Sequence, residues 1–159
     1  MTTMPKLVRW IVAIPFFLAV GCTRSGDAAD GSSGVGSRGP ALEGTRWMLT
    51  TLGDTPAEIT TDDTGSAHIL LTPDEDDVSG STGVNFLGGK YTLKGDALRF
   101  GPLITTRRAG PPALMQQEID FTRALDRTRR WRIGEAGLEL LDADGRLVAR
   151  FRAGASAGR

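Results

Sequence analysis

Apolar and polar residues alternate along most of the chain from Leu42 onward, in short runs separated by Gly, Asp, Pro and Thr. Alternation with a period of two is typical of antiparallel strands that bury one face. The segments Lys94–Asp96 and Asp144–Gly145 lie between such runs and predict tight hairpins, because Gly and Asp tolerate the backbone angles of these turns. The pattern predicts eight strands, at Trp47–Leu52, Ala67–Thr72, Val78–Phe86, Lys90–Leu93, Ala97–Phe100, Trp131–Ile133, Leu138–Leu141 and Arg146–Phe151.

One segment, Pro111–Asp126, breaks this alternation and predicts an amphipathic helix of about four turns. It begins with two prolines, which the first turn of a helix permits, and its spacing gathers Leu114, Phe121 and Leu125 on one face. Eight short strands with one helix predict a mainly β, α+β fold. We expect a small antiparallel, barrel-like domain with the helix packed over one end or side.

The first 21 residues have the form of a secretory leader. Lys6 and Arg9 precede an apolar run from Trp10 to Gly21 that contains Pro15. A helix that spans a bilayer needs about 20 apolar residues, and this run is too short for a lasting span. We therefore expect a signal peptide that directs export of the protein.

The only cysteine of the chain, Cys22, follows this apolar run directly. The segment Leu18–Cys22 resembles a bacterial lipobox, in which a cysteine becomes the acylated N-terminus, although Ala19 stands where leucine is most usual. The alternative is a free thiol in a discarded leader. We expect Cys22 to carry the lipid that anchors the protein to the extracytoplasmic face of the cell membrane, since two or more acyl chains anchor stably.

Residues 22–40 are rich in Gly and Ser and have almost no apolar bulk, which predicts a flexible tether. The domain itself is expected at 41–153, with a disordered tail at 154–159. Removal of the leader leaves 17 basic and 19 acidic residues. A mildly acidic protein has no general attraction to nucleic acid or to anionic lipid, so nucleic acid is excluded as a partner.

Six segments carry a recognisable sequence signature: Leu42–Trp47, Val78–Asn85, Gly88–Tyr91, Leu98–Arg107, Pro111–Met115 and Leu138–Arg146. Together they resemble the META domain, the fold of the HslJ-like envelope proteins, over residues 42 to 151. The resemblance implies a β-rich, barrel-like domain and associates the protein loosely with stress response and envelope integrity. It implies no particular reaction or ligand.

The same resemblance selects two candidate binding residues, Asn85 and Arg107, because they match positions that stand out in the META pattern. Structural hydrogen bonding at strand ends is the alternative for both. The META pattern often has cysteine immediately before this asparagine and immediately before the prolines, where this chain has Val84 and Gly110. The resemblance therefore implies that a disulfide has been lost as a pair, and it excludes a thiol-based function.

No catalytic, metal or cofactor site is predicted. His68 is the only histidine and lies in an alternating strand, and the acidic run Asp74–Asp77 is explained by a turn. The Gly-Gly-Lys sequence at Gly88–Lys90 lacks the first glycine and the Ser or Thr of a phosphate-binding loop. An arginine-rich stretch from Arg107 to Arg132 is consistent with either a solvated helix end or an anion site.

We therefore expect a non-enzymatic, monomeric cell-envelope lipoprotein that binds another envelope protein or a small amphiphile. The alternative is an inhibitor or accessory subunit of a periplasmic or extracellular hydrolase of the lysozyme type, acting through an exposed loop at Leu52–Thr64 or Leu103–Pro112. An enzyme would need a carboxylate with a perturbed pKa in a pocket, for which Glu118 on the apolar stripe of the helix is the candidate.

Overall fold

The computed structural model describes residues 39–58 and 66–154. The predicted leader, Cys22, the tether up to residue 38 and the tail from residue 155 lie outside the described residues. Within the described ranges, no helix has both the length and the apolar character that crossing a membrane requires.

Ten strands and one helix make up the described domain. The helix, α1, runs from Pro112 to Arg127. In chain order the strands are β1 (Arg46–Leu52), β2 (Thr55–Pro56), β3 (His68–Thr72), β4 (Asp77–Ser81), β5 (Phe86–Lys94), β6 (Ala97–Phe100), β7 (Ile104–Thr105), β8 (Arg130–Gly134), β9 (Gly137–Leu141) and β10 (Leu147–Ala153).

The strands form one antiparallel sheet that closes into a ring. Neighbouring strands follow the order β1-β3-β4-β5-β6-β8-β9-β10, and β10 pairs again with β1. The closing pair is long, from Trp47 opposite Ala153 to Leu52 opposite Ala149. Strands β2 and β7 add short pairings to β1 and β5. The mainly β fold with one helix is confirmed.

The hydrophobic core fills the inside of this ring and continues under the helix. Trp47, Phe121 and Phe151 are its largest fully buried side chains, and the rings of the two phenylalanines lie 6.1 Å apart. Each such side chain contributes about 1.5–3 kcal/mol through burial. Because Phe121 and Leu125 come from α1 and Phe151 comes from β10, this contact fixes the helix against the sheet.

The prediction of one continuous strand over Val78–Phe86 is wrong. The chain turns between β4 and β5, because Gly83 has a φ of +99° and the hydroxyl of Thr82 accepts a hydrogen bond from the main chain of Asn85. The turn shifts the alternation, so that Asn85 is buried and Phe86 is exposed. The predicted strand near residue 90 is the second half of β5, and the short strands β2 and β7 were missed.

Candidate functional site

The side chain of Asn85 is buried at the start of β5, where it uses its full hydrogen-bonding capacity. Its Nδ2 donates to Oε2 of Glu118 at 2.8 Å and to the carbonyl of Arg108 at 3.2 Å. Its Oδ1 accepts from the hydroxyl of Thr106 at 2.8 Å and from the main-chain N–H of Arg108 at 2.7 Å. An amide offers two donors and two acceptors, and all are used. These contacts give Asn85 a structural role, and its role in binding stays a prediction.

Thr82 and Glu118 complete this group of residues. The Thr82 hydroxyl donates to Oε2 of Glu118 at 2.7 Å, so one carboxylate oxygen accepts from both the β4–β5 turn and Asn85. Glu118 is half-buried in α1. We call Thr82, Asn85, Thr106, Glu118 and the main chain of Arg108 the Asn85 network. The network ties the turn before β5, the loop after β7 and the helix together.

Arg107 and Arg108 lie on the exposed loop that the Asn85 network holds. The guanidinium of Arg108 lies over the ring of Phe86, 5.5 Å from its centroid. Neither guanidinium makes a hydrogen bond or an ion pair with another residue in 39–58 or 66–154. The structure therefore places Arg107 at the surface while Asn85 is inside, and the role of Arg107 in binding stays a prediction.

The arginine-rich stretch does not form one cluster. Arg123 pairs with Asp120 at 3.3 Å, and Arg127 pairs with Asp142 at 3.0 Å. Arg129 donates to main-chain carbonyls near the end of the helix. Most of the stretch thus serves the helix and its neighbours.

On the outside of the sheet, Glu139 accepts from two arginines on the neighbouring strands. Arg132 lies opposite it on β8 and Arg150 on β10, with closest N–O distances of 2.5 and 2.7 Å. Hydrogen bonds from Arg150, then from Arg132, hold the pKa of Glu139 below its usual range, against the opposing effect of burial. This cross-strand triad joins three strands of the ring close to its closure.

An apolar depression of about 640 Å³ lies at one open end of the ring. Leu93, Trp131 and Ile133 form one wall, and each lies opposite a buried leucine on the adjacent strand, so they are on the inner face of the sheet. The segment Pro40–Glu43 forms the other wall, and Gly95, Asp96 and Arg132 complete the rim.

Several hydrogen bonds hold the Pro40–Glu43 segment over this end of the ring. The indole N–H of Trp47 donates to the carbonyl of Leu42 at 2.8 Å. The hydroxyl of Tyr91 donates to Oε1 of Glu43. Burial, followed by the hydrogen bond and charge of Glu43, raises the pKa of Tyr91, so the tyrosine remains a neutral donor. The depression is therefore formed by the folded domain itself.

His68, the only histidine, is half-buried on β3, and its Nδ1 lies 2.9 Å from the carbonyl of Ser66. Burial lowers its pKa, and the charge of Arg46 lowers it further, against the effect of the Ser66 hydrogen bond. Within 39–58 and 66–154, no group of three or more histidine, cysteine or acidic side chains is arranged to hold a metal ion.

The sequence model of the META domain matches residues 40–155. The chain belongs to the META domain family. A META domain therefore accounts for nearly all of the described residues, and the predicted resemblance to the META domain is confirmed. No curated relative matches the chain.

Solved structures similar to this META domain show the same fold. A protein from Burkholderia xenovorans, solved by NMR, is 27% identical, with a TM-score of 0.56 over 72% of this chain and 84% of that one. A second NMR structure is 22% identical, with a TM-score of 0.52 over 69% and 90% of the two chains. A DUF4847 family protein from Bacteroides vulgatus is 14% identical, with a TM-score of 0.51 over 70% and 93%.

The two positions at which the META pattern often has cysteine are in contact in this META domain. A Cβ placed on Gly110 would lie 3.4 Å from Cβ of Val84 and 2.7 Å from its Cγ2. Disulfides join Cβ atoms that are about 3.5–4.5 Å apart. The valine side chain therefore occupies the space in which a second side chain at position 110 would lie, which explains why glycine accompanies valine here.

Proposed function

We propose that this META domain protein is a non-enzymatic lipoprotein of the bacterial cell envelope, acylated at Cys22, whose domain binds a small amphiphile and so serves envelope integrity. The observation that carries the binding proposal is the apolar depression at the open end of the ring. Its volume of about 640 Å³ lies within the range of about 300–1,000 Å³ that is usual for small-molecule sites. The mouth of a closed sheet is a common place for such sites.

The side chains around the depression suit binding better than catalysis. Arg132 is paired with Glu139, and the indole N–H of Trp131 donates to the carbonyl of Gly95. Glu43 accepts from Tyr91. The lining residues that the structure describes include no serine, cysteine, lysine or histidine. The acids of the lining are Glu43 and Asp96, and most of the other lining residues are apolar, so the lining suits the binding of an apolar group.

The expected affinity follows from the length of the apolar chain. Burial of a methylene contributes about 0.8 kcal/mol, so a chain of about twelve carbons contributes at most about 10 kcal/mol. Association costs about 4 kcal/mol or more. The remainder of about 6 kcal/mol corresponds to a dissociation constant on the order of 100 µM.

We expect dodecylphosphocholine, titrated below its micelle concentration, to shift the indole N–H resonance of Trp131 in a saturable way. The variant Leu93→Gln, which places an amide in the apolar wall, should bind at least about tenfold more weakly. Ile104→Gln is the matched control, because Ile104 is exposed and lies outside the depression. The binding proposal would be contradicted if the folded domain showed no saturable shift with phosphocholines that carry octyl, decyl or dodecyl chains.

Acylation is tested separately on the full chain. We expect the natural protein to incorporate labelled palmitate and to fractionate with membranes, and we expect Cys22→Ala to lose the label and to appear in the soluble extracytoplasmic fraction. Acylation removes the thiol and adds apolar chains, so both readouts should change together. A labelled Cys22→Ala protein, or an unlabelled natural protein, would exclude Cys22 as the lipid site.

The exposed arginines of one loop favour inhibition of an extracytoplasmic hydrolase as a second candidate function. Of the two loops expected to reach a cleft, the part of the Leu52–Thr64 loop that the structure describes ends at Glu58. The loop Leu103–Pro112 is described throughout and presents Arg107 and Arg108 without acidic partners among the described residues.

A further inference from the structure

Two large apolar side chains are exposed next to each other on the outer face of the sheet. Phe86 is 63% exposed at the start of β5, and Ile104 is 75% exposed on β7. Ile104 lies opposite Gly88, which is on the same face of β5 as Phe86. Single exposed apolar residues are ordinary at protein surfaces, but neighbours on one flat face form a patch.

The residues beside this pair are small, which makes the patch accessible. Ser81 lies opposite Phe86 on β4, and Ser79 lies opposite Gly88. A Cβ at Gly88 would be 3.9 Å from the nearest atom of Ile104, so the isoleucine stands beside a bare stretch of backbone. The pair therefore flanks a shallow floor of short side chains.

Positive charge borders the patch. Arg108 lies over the ring of Phe86, and Arg107 precedes it on the same loop. Among the described residues, neither has an acidic partner, whereas Arg132 and Arg150, elsewhere on the outer face of the ring, share Glu139. The carboxylate of the Asn85 network, Glu118, accepts from Thr82 and Asn85 rather than from either arginine.

The Asn85 network fixes the patch in place. Asn85 bonds both the N–H and the carbonyl of Arg108. Thr106 donates to Asn85 and also accepts from the main-chain N–H of Phe86 at 3.1 Å. A fully satisfied buried network is rigid, and a rigid surface loses little conformational entropy on binding. The hydrogen bonds of the Asn85 network thus fix residues whose side chains point outward.

We propose that Phe86, Ile104, Arg107 and Arg108, which we call the Phe86 surface, bind a protein partner that presents carboxylates beside apolar side chains. Aromatic residues and arginine are enriched at the centres of protein interfaces. A guanidinium fits a carboxylate through paired hydrogen bonds. An anionic lipid surface is recognised by clusters of about four to eight basic residues, which this surface does not have. The inference is independent of amphiphile binding.

Site-specific cross-linking of the full chain in the cells that produce it tests this proposal. The photoreactive residue p-benzoylphenylalanine replaces Ile104 in one variant and Ile119 in a control, because Ile119 is also exposed, at 49%, but lies on α1. We expect a discrete protein adduct from position 104 and not from position 119. The cross-linked peptide of the partner should contain aspartate or glutamate.

Charge reversal then separates a specific contact from proximity. In the cross-linking variant, Arg107→Glu with Arg108→Glu should reduce the adduct at least about tenfold, because like charges would then face each other, and Arg-to-Lys changes at the same positions should reduce it less. Conversion of the partner's mapped carboxylates to lysine should restore the adduct with the Glu variant. Thermal unfolding of the variants should match that of the parent, because both side chains point outward.

Four results would overturn the proposal. The first two are no adduct from position 104 and equal adducts from positions 104 and 119. The other two are an adduct that charge reversal leaves unchanged and a mapped site on the partner that contains no carboxylate. A vesicle flotation assay gives a further test. If the full chain floats with phosphatidylglycerol vesicles and the Arg-to-Glu variant does not, the surface binds lipid and the proposal is overturned. A mapped partner that is a hydrolase and loses activity on binding supports both the proposal and the inhibitor function.

Discussion

Replacement of Asn85 by alanine lowers the free energy of unfolding by about 3 kcal/mol, because it removes four part-buried hydrogen bonds at once. An unsatisfied buried polar group costs about 1–3 kcal/mol, and the loss leaves Glu118 and both main-chain groups of Arg108 without these partners. The measurement is chemical denaturation followed by circular dichroism, in which the midpoint should fall while its slope is unchanged.

Ser79→Ala is the matched control for this result. Ser79 lies close by on β4, but its side chain is exposed. We expect its substitution to change stability by less than about 0.5 kcal/mol. If Asn85→Ala were as mild as the control, the contacts of Asn85 would not be structural, and the prediction that it belongs to a binding surface would become the better account of this residue.

The double variant Val84→Cys with Gly110→Cys should form a disulfide that raises the free energy of unfolding by about 3 kcal/mol in the oxidised protein. The Cβ positions are 3.4 Å apart, at the short end of disulfide geometry, and the bond would close a loop between the start of β5 and the start of α1. Cys22→Ala in the same chain removes competing thiols.

Two comparisons isolate the effect of this bond. Reduction should return the double variant to or below the stability of the parent chain. The single variant Gly110→Ala should be destabilised by about 1–3 kcal/mol, because its Cβ would lie 2.7 Å from Val84. If the two thiols stay free under oxidising conditions, positions 84 and 110 are not in the contact described.

The helix and most strands could be predicted from the sequence because their signals are local. The prolines and the Leu114–Leu125 stripe predicted a helix over 111–126, and α1 lies at Pro112–Arg127. The break between β4 and β5 was missed because it depends on the hydroxyl of Thr82 and the backbone of Gly83, while the alternation on either side remains apparently continuous.

The candidate sites depend on contacts that no local pattern contains. The resemblance to the META pattern selected Asn85 and Arg107, but the burial of Asn85 follows from the missed turn and the exposure of Arg107 from the loop after β7. The apolar depression requires Pro40–Glu43 to lie beside Trp131, and these are about ninety residues apart in the chain. The exposed pair Phe86 and Ile104 likewise depends on β7, which is too short to produce a period.

The pairing of β1 with β10 determines when during synthesis the domain can be completed. The N–H of Gly154 donates to the carbonyl of Arg46 at 2.7 Å, so the start of β1 lies beside the end of β10. Until β10 has left the ribosome, both β1 and β9 expose unpaired edges, which can pair with other chains. Folding must therefore wait for the last strand, and a holdase that covers these two edges would protect the unfinished chain.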